Sequence, residues 1–148
     1  MTHKSLIAIL AVALLAVSAG AQLAKGVGQR IKGEAEVKKA LFGMDLHGFS
    51  PSENFSWREC IQPDGETLYE TPSEVVKGRV FVNPEGLACF AYEDTGYSVA
   101  SCYWTYRQGK GLRWESDVKT LTGEPQSVFV TTKVITGIKS CKPESLIS

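Results

Sequence analysis

The chain has 148 residues, 43% of them hydrophobic and 22% charged, and its sixteen basic side chains balance sixteen acidic ones. That length suits one domain with its own core. Zero net charge excludes the extended basic surface that nucleic acid or an anionic membrane requires, because the small basic clusters (Lys38-Lys39; Arg107 to Arg113) are flanked by acids.

The first segment, MTHKSLIAILAVALLAVSAGAQLAKG, sets Lys4 before an apolar run from Leu6 to Val17, followed by Ala19-Gly20-Ala21. A basic start, a short apolar stretch and a small-x-small site predict a signal peptide over residues 1–21, cleaved after Ala21. The competing reading is an uncleaved anchor over residues 5–24. A spanning helix takes roughly 20 apolar residues, and this run is shorter unless Ser18 to Ala24 are counted. No cysteine adjoins the site, so a lipid-modified N-terminal cysteine is excluded.

Residues 22–33, QLAKGVGQRIKG, mix glycine with charge and read as a flexible lead-in to a single β-rich domain over 34–142, with 143–148 as a tail. Glu34 to Gly43, EAEVKKALFG, has acids first, lysines later and a closing glycine, which predicts a helix of two or three turns. Beyond it the apolar period becomes two. FSWRECIQ sets Phe55, Trp57, Glu59 and Ile61 on one face of a strand, and Pro63-Asp64-Gly65 turns the chain into ETLYET. Pro72-Ser73 breaks it, VVKGRVFV follows, and Asn83 to Gly86 turns it into LACFAYE. Ser98 to Arg107, Leu112 to Ser116 and QSVFVTTKVITGI complete about seven short strands spaced near ten residues. That pattern predicts a mainly β fold, an antiparallel sandwich or small barrel with one N-terminal helix.

Four cysteines, Cys60, Cys89, Cys102 and Cys141, follow the leader, and an even count in an exported chain predicts disulfides. Zinc is disfavoured, since the smallest gap is twelve residues and His47 has no partner at ligand spacing. If Thr95-Gly96 is a two-residue hairpin loop, Cys89 lies opposite Cys102, close enough to bridge. Elimination then pairs Cys60 with Cys141, closing a long loop.

Aromatic residues crowd this hairpin. Alternation puts Cys102, Trp104 and Tyr106 on one face and Tyr103 with Phe90 and Tyr92 on the other. One face is expected to be core, and the other is either covered by the helix or a second sheet or is an open binding surface, with Tyr103, Trp104, Tyr106, Trp114 and Tyr92 as the candidate contacts. Candidates for catalysis are thin. Glu59 sits beside Trp57, but its nearest carboxylate partners, Glu66 and Glu70, are explained by turn position, whereas a glycosidase needs two carboxylates at a set separation. Gly109-Lys110-Gly111 lacks the spacing of a phosphate loop. Asn54-Phe55-Ser56 matches the glycosylation acceptor pattern, which recurs by chance.

The segments WRECIQPDGETLY, GRVFVNPEGLACFAY and SCYWTYRQGKG resemble small exported bacterial proteins of unassigned function, over Leu41 to Gly111. The resemblance implies a β-rich periplasmic or secreted domain and no particular site residues; Cys60 and Cys141 stand outside its pattern. The expectation is therefore an exported, non-catalytic binding or accessory module without cofactor or metal. It would recognise a protein partner or a small apolar ligand through the aromatic hairpin. A membrane-anchored subunit of an envelope complex and a small hydrolase using Glu59 or His47 are the alternatives.

Overall fold

The computed structural model describes residues 28–144. The leader, its cleavage site and the anchor alternative lie outside that range, as do the last four residues of the expected tail. In chain order the elements are β1 (Gln29–Arg30), α1 (Glu34–Leu41), β2 (Met44–Ser50), β3 (Phe55–Ile61), β4 (Glu66–Glu70) and β5 (Val75–Val82). They continue with β6 (Ala88–Tyr92), β7 (Ala100–Gln108), β8 (Gly111–Ser116) and β9 (Val128–Thr136).

Neighbouring strands run β7-β6-β5-β4-β3-β2-β9-β8, and β8 pairs again with β7. Eight antiparallel strands thus close into a barrel, which leaves no open sheet edge among them. Short β1 attaches to β7 at Tyr106 and Arg107, beyond the stretch that pairs with β6. Of the two architectures the sequence allowed, the barrel forms. Two elements were not foreseen: β2, and β1 inside the expected lead-in.

Inward and outward residues alternate around the wall. On β5 the inward Gly78, Val80 and Val82 are buried while Lys77, Arg79 and Phe81 are exposed. Two inward glycines make room for rings. A Cβ on Gly48 would sit 2.2 Å from the Trp57 ring, and one on Gly78 would sit 2.4 Å from the Tyr92 ring. Both positions therefore reject any side chain, and the adjacent aromatic fills the space.

One end of the barrel is packed shut. Val37 and Leu41 of α1, both fully buried, join Leu46, Ile61, Val82, Ala88 and Leu112 in the core. The helix starts after Gly33 and carries Glu34 and Glu36 in its first turn with Lys38 and Lys39 in its last, matching its dipole. In the middle, Trp57 meets Trp114 edge-on with ring centres 5.4 Å apart.

On the outer wall, both expected disulfides form. Cys89 pairs with Cys102 across β6 and β7, with Cα atoms 4.1 Å apart, and Cys60 pairs with Cys141, with Cα atoms 5.7 Å apart. The register that opposes Cys89 to Cys102 is as expected, but the connection is not a two-residue loop. A 3-10 turn over Glu93–Thr95 and an unpaired stretch to Val99 join the strands. Disulfides of this kind belong to an oxidising, extracytoplasmic compartment. No helix among the described residues is long and apolar enough to cross a membrane.

Candidate functional site

The end of the barrel opposite α1 holds a partly open cavity of about 120 Å³. Its lining comes from six strands of the wall: Trp57 and Glu59 on β3, Tyr69 on β4, Phe90 and Tyr92 on β6, Ser101 and Tyr103 on β7, with Trp114 and Phe129 on β8 and β9. The rings brace one another edge-on. Phe129 contacts Trp57 at 5.9 Å and Tyr103 at 5.6 Å between centres, and Tyr103 contacts Phe90 at 5.9 Å. Such contacts fix ring orientation, so the cavity walls are held from behind.

Glu59 is the one acidic or basic side chain in this lining, and it is 5% exposed. Tyr92 donates its hydroxyl proton to Glu59 Oε2 at 2.7 Å. Thr67 Oγ1 lies within reach of both Glu59 Oε1 and the Cys60 carbonyl, the latter at 2.7 Å. A hydroxyl has a single proton to give. With Glu59 protonated, every proton finds an acceptor: the carboxyl donates to Thr67, Thr67 to the carbonyl, and Tyr92 to the carboxyl. Ionised Glu59 claims the Thr67 proton and takes it from the carbonyl. Burial pushes the Glu59 carboxyl up to about 7, against the downward pull of hydrogen bonds from Thr67 and Tyr92. Burial, reinforced by the Glu59 charge, likewise raises the Tyr92 and Tyr69 hydroxyls. The site therefore presents a neutral carboxylic acid and neutral phenols at mildly acidic pH.

A stability measurement checks this. Because the folded state holds the Glu59 proton more tightly than the unfolded chain, its contribution is complete below the ordinary carboxylate range. It is lost as pH rises from about 4.5 towards about 7. The difference amounts to roughly 3 kcal/mol. Glu59→Gln keeps the neutral pattern, its amide donating to Thr67 and accepting from Tyr92, but cannot ionise. Urea midpoints should place the variant about level with wild type at pH 4 and well above it at pH 8; a gap that stays constant with pH refutes the reading.

Two further donors stand unused. The indole N–H groups of Trp57 and Trp114 are buried and have no partner among the described residues.

Of the five expected contacts, Tyr92, Tyr103 and Trp114 meet in the cavity. Trp104 and Tyr106 do not; they lie on the outer wall, where the Arg30 guanidinium stacks 3.4 Å above the Trp104 ring. The cavity also takes Trp57, Tyr69, Phe90, Ser101 and Phe129, which sequence reasoning left off the site, and Glu59, which it offered only as a hydrolase candidate. The alternation of β3 already put Trp57 and Glu59 on one face, so that signal was there to use. Glu66 and Glu70 are not partners for Glu59: Glu66 bonds Arg79 at the surface, and Glu70 points outward to Arg58.

His47 is likewise on the outer wall. The fold brings its Nε2 to 3.5 Å from Asp45 Oδ1 and 3.9 Å from Glu144 Oε1, a grouping its sequence spacing hid. Both Asp45 oxygens already accept from the Arg58 guanidinium, at 2.9 Å each. No protein-family model, no curated protein and no solved structure matches this chain.

Proposed function

We propose that the protein is a non-catalytic, exported binding module that holds a small, largely apolar ligand in the aromatic cavity of its barrel. The observation that carries this reading is a cavity walled by braced rings, with a buried carboxyl available for orientation. Small-molecule sites have this make-up: mostly apolar walls with a few placed polar groups. A rigid wall also limits the ordering that binding demands. Two disulfides support work outside the cytoplasm, in a periplasm or in the medium. The size suits a compact group, since a cavity of ~150 Å³ takes up benzene.

Saturation-transfer NMR with benzyl alcohol and 3,3-dimethyl-1-butanol as probes tests the reading. Binding is expected in wild type, lost in Ser101→Trp, which fills the mouth from an exposed rim position, and kept in Trp104→Ala on the outer wall. Loss in Trp104→Ala with retention in Ser101→Trp moves the site to the outer hairpin face and overturns the cavity. No binding of either probe, nor of the cationic isostere of the second, also overturns it.

A further inference from the structure

We infer that the ligand of this cavity is an organic monocation, an amine or quaternary ammonium group, which sits against the aromatic faces with Glu59 as its counter-ion. The inference rests on the binding role proposed above and adds the chemical class of the ligand.

Three observations converge. First, the buried carboxyl has no cationic partner. The titratable groups facing it are Tyr69 on β4, Tyr92 on β6 and Tyr103 on β7; no Lys, Arg or His lines the cavity. An unpaired buried carboxylate is costly, so in the empty site the group keeps its proton up to about pH 7. A bound cation supplies the missing charge. Second, the walls are rings. Aromatic faces attract a cation electrostatically, and trimethylammonium groups are recognised by such cages. Third, the mouth is acidic. The four loops at this end of the barrel, residues 51–54, 71–74, 93–99 and 117–127, carry Glu53, Glu74, Glu93, Asp94, Asp117 and Glu124 against Lys119 alone. The charge reaches the cavity: Glu53 and Glu74 help to raise Tyr69, and Glu53 with Asp117 helps to raise Tyr103. For a chain with no net charge, that concentration of one sign around one opening raises the local concentration of cations. A neutral apolar ligand gains nothing from it, and an anion is repelled.

Binding is then linked to a proton. The cation binds as the Glu59 O–H bond breaks and its proton leaves to solvent, so charge in the site is unchanged. Affinity for a permanently charged ligand should rise about tenfold per pH unit below the Glu59 transition and level off above it.

Calorimetry with choline and its neutral carbon isostere, 3,3-dimethyl-1-butanol, separates the two layers of the claim. Choline is expected to bind at least tenfold more tightly than the isostere at pH 8. At pH 6 to 7 it should release protons, seen as a dependence of the heat on buffer ionisation enthalpy. Glu59→Gln should cut choline affinity at least tenfold and leave the isostere unchanged. Tyr92→Phe removes one hydrogen bond to the carboxylate while keeping the ring, and should weaken choline binding by several-fold. If the isostere matches choline in wild type, or Glu59→Gln leaves choline binding intact, the cation assignment falls while the cavity reading stands. If neither compound binds, both fall.

Discussion

Replacing Arg58 with methionine should lower stability by about 3–5 kcal/mol, the range found when one partner is removed from a buried ion pair. Arg58 lies on the outer face of β3, yet it is only 8% exposed, and its partners Asp45 and Glu70 are 5% and 2% exposed. Its Nε and Nη2 each donate to an Asp45 oxygen at 2.9 Å, while Nη1 lies 3.0 Å from Glu70 Oε1 and donates to the Lys142 carbonyl at 2.9 Å. Burial opposes the guanidinium charge, but the hydrogen bonds and charges of Asp45 and Glu70 outweigh it and hold Arg58 above its ordinary value. Methionine fills much of the same volume, so the loss comes from two carboxylates left without a counter-ion. Lysine keeps the charge without the planar fork and should fall between the two. The triple variant Asp45→Leu, Arg58→Met, Glu70→Leu removes all the charges together and should be more stable than the single change. Urea unfolding of the four proteins decides the matter. A single-variant loss below about 1 kcal/mol, or a triple variant worse than the single, contradicts the account.

The same network explains why β2 was not legible. MDLHGFS, Met44 to Ser50, reads as polar and broken. Its outward residues Asp45 and His47 are polar because they meet Arg58 and the C-terminal strap. Its inward Gly48 is small because Trp57 occupies the space a side chain would need. Both features depend on residues far along the chain, so local alternation could not expose them. Strands whose neighbours are supplied by tight turns were readable. The closure of the barrel, which needs β9 between β2 and β8, was not.

For the site, alternation sorted the hairpin aromatics correctly into two sets. It gave no way to tell which set faces inward, because Trp104 and Tyr106 on the outside are as large as Tyr92 and Tyr103 within. Outside, Trp104 is satisfied by Arg30, from a segment that looked like a linker. Glu59 was visible beside Trp57, but a carboxylate in a barrel interior acquires meaning only when the absence of a cation among its neighbours is known.

Removing the Cys60–Cys141 bridge should destabilise the protein by about 4.5 kcal/mol, against about 3 kcal/mol for Cys89–Cys102. In the chain-entropy picture the loss grows with the loop closed, and the two bridges span sequence separations of 81 and 13. Alanine pairs at each bridge, compared by urea midpoint under oxidising conditions, give the ordering. The larger loss has a second source in the fold. Cys141 pins the strap that carries Lys142 and Glu144 across the outer wall. From that strap the Lys142 carbonyl accepts from Arg58, and the Glu144 backbone N–H donates to Glu70 Oε1 at 3.0 Å. Without the bridge these two hydrogen bonds and the approach of Glu144 to His47 must hold the strap, and exposing it to water removes part of what keeps Asp45, Arg58 and Glu70 buried. The Cys60→Ala/Cys141→Ala pair and Arg58→Met should therefore couple, their combined loss falling short of the sum by 0.5 kcal/mol or more, as expected for residues in one network. Cys89→Ala/Cys102→Ala shares no partner with Arg58 and should add to it within about 0.5 kcal/mol. Additivity in both cycles means that the strap and the ion network stand independently, and the bridge then acts through the unfolded chain alone.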